Sequence, residues 1–370
     1  MSTFLKMSTS LKITLAFVAM LCLHPNAARA WGYQGHEVVG SIADHLLKPN
    51  AKAQVHAILN GPEQPQDPNA PVRLAPRREI TLQKSGPWAD CVKSVVLFAT
   101  DGKFHYYVDP NHLDYEVPCI SFNSAEERAR MEDYVRRNWD TCSYAPSGFQ
   151  LGCHNTFHFE DVAIQATMFD RTDQGTNDHD LVAAIGAALA VLTDKPVPPP
   201  FPFSIRDKKE ALLLLAHFLG DLHQPLHVGA VYLDAEGRPV DPDKAHAIDP
   251  ATETAGGNLI QDENLSLHHE WDDIPTDIGE AATKDLLRDA QAEPATQGPI
   301  DGWPKAWATD TLHVAQDAFK GLKFTQTSSA HWTVSFDDHM VYLHLMDEVK
   351  RKQLAKAGAR LAEILNTIWP

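Results

Sequence analysis

The sequence predicts a mainly α, multi-helix protein with long loops. Apolar residues recur at helical spacing in several long windows, alternating strand patterns are scarce, and the intervening segments are polar and rich in Pro and Gly.

The N-terminal residues read differently from the rest. Lys6 and Lys12 precede the apolar run ITLAFVAMLCL (13–23), and Ala28-Arg29-Ala30 has the small-x-small form of a signal peptidase site. Residues 1–30 are therefore expected to be a signal peptide, which makes Trp31 the first residue after cleavage and the protein secreted or periplasmic. That run is too short for a comfortable membrane span, and no later segment reaches ~18 uninterrupted apolar residues, so no stable membrane association is expected.

After Trp31, HEVVGSIADHLL (36–47) and the charged SAEERARMEDYVRRNW (124–139) read as amphipathic helices. DHDLVAAIGAALAVLTD (178–194) aligns Leu181, Ile185, Ala188 and Leu192 on one face. The proline run VPPPFPF (197–203) forces an extended connector. Ser204, with Asp207 three residues on, reads as a capping-box-like start for the helix that contains LLLLAHFLGD. Leu354, Gly358, Leu361 and Leu365 mark a last helix. The stretches 234–257 and 276–306 read as irregular surface excursions. Neither separates two independent apolar cores, so 31–370 is expected to form one domain. There is no internal repeat.

The formal net charge is −17, and loss of Lys6, Lys12 and Arg29 with the signal takes it to −20. Such a balance opposes general affinity for a polyanion, so any nucleic-acid contact must be local; a cluster of divalent cations is one way to reverse the field in a pocket. Cys91, Cys119, Cys142 and Cys153 remain after cleavage, with three possible pairings. At least one bridge is expected, among the last three.

The chemistry concentrates in LLLLAHFLGDLHQPLHVG (212–229). His217 and Asp221 stand at i and i+4 and share a helix face, and Pro225 ends the helix just before His227. His268 and Asp272 repeat the i, i+4 pair in NLSLHHEWDD. A lone pair of this kind is usually a hydrogen-bonded helix surface, but an apolar run needs something to compensate such groups. Imidazole and carboxylate without thiolate suit a catalytic zinc site, and an Asp can bridge two metals. His223 lies off the His217/Asp221 face and reads as a supporting or exposed histidine.

The motifs WGYQGH (31–36), PWAD (87–90), FHFED (157–161), HFLGDLHQPLH (217–227) and NLSLHHEWD (264–272) resemble those of the S-one/P-one type zinc nucleases, secreted single-strand nucleases and 3′-nucleotidases that share their fold with zinc phospholipase C. The resemblance implies a mainly α, single-domain phospholipase C/nuclease-type fold whose cleft holds three Zn2+ ions. It places Asp90, His158, His217 and Asp221 on one zinc. Trp31, through its freed amine and carbonyl, shares the second with His36 and Asp221, and His227, His268 and Asp272 hold the third. His105 sits at the more usual distance from Asp90, but His158 lies in the better-matching motif and is preferred, which makes 92–156 an insertion. Phe159 is implied as a stacking platform for a base and Asp161 as its hydrogen-bond partner, with Asp90 as the catalytic group.

The implied reaction is in-line hydrolysis of phosphodiesters in single-stranded DNA or RNA, with nucleotides as further substrates, leaving 5′-phosphate and 3′-hydroxyl ends. No obligatory protein partner is evident. Two other readings stand beside it. A zinc phospholipase C would use a similar cage, although those enzymes carry Glu where Asp272 stands and no membrane-docking stretch is evident. A non-catalytic zinc-binding protein would favour His-rich tracts over dispersed ligands.

Overall fold

The structure is a computed structural model and describes residues 31–61, 79–108, 117–142, 152–197 and 203–370. The expected signal peptide (1–30) lies outside the described residues, as does most of the proline run. Helices dominate: α1 (Tyr33–Leu46), α2 (Pro49–Asn60), α3 (Leu82–Ser85), α4 (Trp88–Cys91), α5 (Ala125–Asn138), α6 (Leu181–Leu192), α7 (Lys208–Asp221), α8 (Pro242–Ala245), α9 (Leu267–Asp272), α10 (Lys284–Ala292), α11 (Trp303–Phe319) and α12 (His339–Ile368). The mainly α expectation holds. No described helix is long and apolar enough to cross a membrane.

The central element is α7, which is buried from Lys209 to Asp221 and packs against α1, α6 and α12. Its apolar residues surround the helix instead of forming one stripe, which is how a fully interior helix reads. Its N-cap is Asp207, whose side chain accepts from the Glu210 N–H, and not Ser204 as the sequence suggested. Asp207 is the better cap because Arg130 of α5 donates to both of its oxygens at 3.0 Å. Arg137, also on α5, pairs with the buried Glu210 at 2.7 Å. The charged helix legible at 124–139 thus turns two arginines inward to clamp the start of α7.

Among the described residues, ten short strands and a few 3-10 turns accompany the helices; the strands are β1 (Val95–Phe98), β2 (Lys103–Tyr106), β3 (Val162–Ala163), β4 (Gly229–Ala230), β5 (Tyr232–Leu233), β6 (Pro239–Val240), β7 (Ile260–Asp262), β8 (Leu265–Ser266), β9 (Lys323–Ser328) and β10 (His331–Ser335). β8, β7, β10 and β9 form a four-stranded sheet in that order, with β10 parallel to β7 and the other pairs antiparallel. β3 and β4 pair in parallel, Val162 opposite Gly229. That short ladder joins the FHFED segment to the segment after His227. The polar stretch 276–306, expected to be irregular, contains α10 because Thr283 caps it and accepts from the Leu286 N–H.

Two disulfides form, Cys91–Cys119 and Cys142–Cys153, where at least one was expected. The second lies among the three cysteines named in advance, and the first also ties down Cys91, the residue after Asp90.

Candidate metal centre

Most of the residues singled out in the sequence converge at the C-terminal end of α7. His217 and Asp221 lie one turn apart on its buried face. His36 comes from α1, Asp90 from α4, His158 from the end of a 3-10 turn (Cys153–His158), and His227 from another (Pro225–His227). His268 and Asp272 lie on α9. All eight are 7% exposed or less, as is Trp31.

Three groups of ligand atoms form, each with its atoms within 4.8 Å of one another: Asp90, His158 and His217; His36, His217 and Asp221; His227, His268 and Asp272. The two carboxylate oxygens of Asp221 have different neighbours. Oδ1 lies 3.4 Å from His36 Nε2, and Oδ2 lies 3.0 Å from His158 Nδ1 and 3.2 Å from His217 Nε2. In the third group His227 and His268 bring their Nε2 atoms within 3.0 Å, and Asp272 lies 3.7 and 3.5 Å from them.

The main chain fixes which nitrogens point inward. His217 Nδ1 donates to Gly86 O, His227 Nδ1 to His158 O and His268 Nδ1 to Gly256 O, each at 2.7 Å. A carbonyl only accepts, so each Nδ1 carries the proton and each Nε2 presents a lone pair. The two Nε2 atoms of His227 and His268 are then acceptors face to face, an arrangement that calls for a cation between them. Asp90 Oδ2, Asp221 Oδ1, Asp272 Oδ2 and both nitrogens of His36 are likewise buried without a hydrogen-bond partner. These orphaned donors of lone pairs, all oxygen and imidazole nitrogen, fit divalent zinc.

Close backbone approach makes this crowding feasible. A Cβ on Gly220 would stand 2.6 Å from His36 Nδ1, and one on Gly86 would stand 2.5 Å from His36 O. The His36 ring stacks on His217 at 3.7 Å between centroids. Trp31 packs into the same place: it lies close to the Gly220 position, and the following Gly32 N–H donates to Asp272 O at 2.8 Å.

Electrostatics keep the imidazoles neutral. Burial lowers His36 to about 3 and His217 and His268 to about 4, and it takes His158 well below the usual histidine range. Burial raises Asp221 and Asp272 to about 7. Burial also pushes Asp90 up, but the Lys93 ammonium, 2.6 Å from Oδ1, outweighs it together with His217 and His36 and holds the carboxyl well below the usual range.

The alternative histidine stands elsewhere. His105 lies on β2, is partly exposed and contacts Asp101 at 2.8 Å. His223, read as supporting or exposed, is fully buried: Nδ1 donates to Leu219 O, and Arg360 donates to Nε2 at 2.9 Å. It belongs to the scaffold that joins α7 to α12. Phe159 is partly exposed beside His158, whereas Asp161 is buried and pushed well above the usual range by burial and then by Glu253. Sequence reasoning missed two residues. Lys93 stands three positions after Asp90, and Gln224 donates to Asp272 Oδ1 at 2.7 Å while its Oε1 accepts from Leu226 N–H at 2.5 Å. The amide between the two histidines of the HQPLH turn was the available signal for Gln224.

The S1/P1 Nuclease family profile matches residues 31–132 and 122–370. This chain belongs to the S1/P1 nuclease family. Three similar proteins of Arabidopsis thaliana agree along nearly the whole length. Endonuclease 4 is 24% identical over 98% of this chain and 97% of its own, Endonuclease 2 is 26% identical over 95% and 94%, and Endonuclease 1 is 22% identical over 100% and 96%. S1/P1 nucleases are zinc-dependent in general, which agrees with the donor set gathered here.

Proposed function

We propose that this S1/P1 nuclease is an exported, zinc-dependent phosphodiesterase that cuts single-stranded DNA and RNA to 5′-phosphate products and also acts as a 3′-nucleotidase. The observation that carries the reading is Asp221: its two oxygens address two adjacent ligand groups, with a third group nearby, as a multinuclear phosphoryl-transfer site requires.

Asp90, His158, His217 and Asp221 would hold one zinc, Trp31, His36 and Asp221 a second, and His227, His268 and Asp272 a third. The bound ions would supply Lewis acidity at phosphoryl oxygens and lower the pKa of water. Asp90, kept ionised by Lys93, accepts a hydrogen bond from the attacking water and sets its line of approach; its low pKa suits orientation better than retention of the proton. Phe159, partly exposed beside His158, offers a ring for an unpaired base, a contact worth ~1–3 kcal/mol and tolerant of sequence. Asp161, its carboxyl pushed up by burial, would accept hydrogen bonds from a base edge. Stacking on Phe159 requires an unpaired base, which favours single strands. In this reading 31–370 acts as one nuclease domain with 92–156 inserted, and export follows removal of residues 1–30, in keeping with two disulfides and a family match that starts at Trp31.

Chelator-stripped protein should be inactive on single-stranded DNA and on a nucleoside 3′-monophosphate, and zinc should restore both activities. Asp90→Asn should bind substrate and cut at least a hundredfold more slowly. Hydrolysis of phosphatidylcholine in place of nucleic acid would end the nuclease reading in favour of a phospholipase.

A further inference from the structure

One group of ligand-type side chains takes no part in the function just described. Asp262 ends β7, Glu270 lies on α9 and His339 opens α12. These three elements bring one ligand atom from each residue to within 4.8 Å of the others. Asp262 is 5% exposed. Its Oδ2, Glu270 Oε2 and His339 Nε2 are all buried atoms without a hydrogen-bond partner. His339 Nε2 lies 3.0 Å from Asp262 Oδ2, yet the pair is not aligned as a hydrogen bond. The neighbouring ammonium does not resolve this, because Lys350 Nζ turns to the main-chain oxygen of Glu270 at 2.5 Å.

Two carboxylates and an imidazole that converge so closely need positive charge among them, either a cation or a proton shared by Asp262 and Glu270. The imidazole is already aimed: the Phe336 ring stacks on it, with 4.5 Å between centroids and planes 13° apart. Its side chain is 36% exposed, so the group lies just beneath the surface.

We propose that Asp262, Glu270 and His339 form a separate divalent-cation site. Two oxygens and one imidazole nitrogen suit zinc, with water completing the shell. The site would have a structural role. Glu270 stands between His268 and Asp272 on α9, so a cation here pins the helix that presents two ligands of the third group to β7 and to the start of α12. It holds that helix in place without touching substrate. The proposal does not depend on the hydrolytic reading.

The test uses the full processed chain and its His339→Ala and Asp262→Asn variants. Each is loaded with zinc, dialysed and assayed for zinc per chain by mass spectrometry, and the thermal midpoint is recorded with and without zinc. Wild type should carry one more zinc per chain than either variant, and zinc should raise its midpoint further. His339 is at a partly exposed helix start, so His339→Ala carries the test if Asp262→Asn fails to fold. Equal zinc content and equal midpoint shifts in wild type and His339→Ala would overturn the site and leave a proton shared by Asp262 and Glu270 in its place. Inactivity of the wild type towards nucleic acid, with the difference of one zinc retained, would count against the proposed function alone.

Discussion

Gln224 offers the most discriminating test of how the third ligand group is held. Its Nε2 donates to Asp272 Oδ1 at 2.7 Å, and its Oε1 accepts from the Leu226 N–H at the start of the turn that carries His227. One side chain therefore positions two of the three ligands of that group and none of the Asp221 pair. Gln224→Met keeps the length and removes both bonds. A hydrogen bond to a buried carboxylate is worth ~1.5–3 kcal/mol, which corresponds to roughly a 10- to 150-fold loss in zinc affinity at the third group. That range agrees with the ~10–100-fold typical of losing a partner one bond removed from a metal. Competition titration with a zinc chelator should resolve one weakened site and leave the others at wild-type affinity. Cleavage of single-stranded DNA at limiting zinc should fall in proportion and recover as zinc is added. A variant with wild-type affinity at every site would refute the argument, and uniform weakening of all sites would show that Gln224 supports the fold and not the group.

Three further outcomes are expected. His158→Ala should lose zinc and at least a hundredfold in rate, whereas His105→Ala should stay within twofold, because His105 is paired with Asp101 on the partly exposed β2; the reverse ranking in a DNA-cleavage assay would restore His105 as the ligand. Extending the chain by one residue before Trp31 should weaken zinc binding if the freed amine is a ligand, and an extended protein with full zinc content and rate would remove that role. In zinc-free protein the imidazoles, held at about 3 to 4 by burial, contribute stability that is complete above pH ~6.5 and is lost as pH falls. The carboxyls of Asp221 and Asp272, raised to about 7, contribute the opposite way, with stability present below pH ~4 and lost as pH rises through 7. Within the metal centre the imidazoles are more numerous, so replacing His36 and His217 together by Asn should lessen the fall in thermal midpoint of chelated protein on acidification from 6.5. The gain on adding zinc should shrink below pH 7, where both carboxyls must first release protons, and a gain that is flat from pH 5 to 8 would contradict this.

Much of the site was legible because helix periodicity alone puts His217 beside Asp221 and His268 beside Asp272. The convergence of the two pairs was not legible from periodicity, since it depends on the two-residue ladder between β3 and β4 and on the short pairing of β7 with β8 that leads into α9. Helices α1, α5, α6 and α7 announced themselves by apolar spacing, whereas α10 was hidden by a polar composition and revealed only by its Thr283 cap. The early turns of α12 were hidden for the opposite reason: Met340, Val341 and Leu345 are apolar but exposed, so they break the pattern that burial would impose. Gln224 and Lys93 act through individual side-chain contacts, and no spacing rule predicts contacts of that kind.

Three imidazoles owe their aim to peptide oxygens, at Gly86, His158 and Gly256. A peptide oxygen is present whatever residue bears it, but a Cβ on Gly86 or Gly256 would stand 2.5 Å from His36 O or 2.6 Å from Leu226 O, so the orientation of these rings is written into a path of the chain that two glycines keep open. Segments that leave those two glycines in place can therefore diverge in length and chemistry while the inward-facing nitrogens keep their bearing.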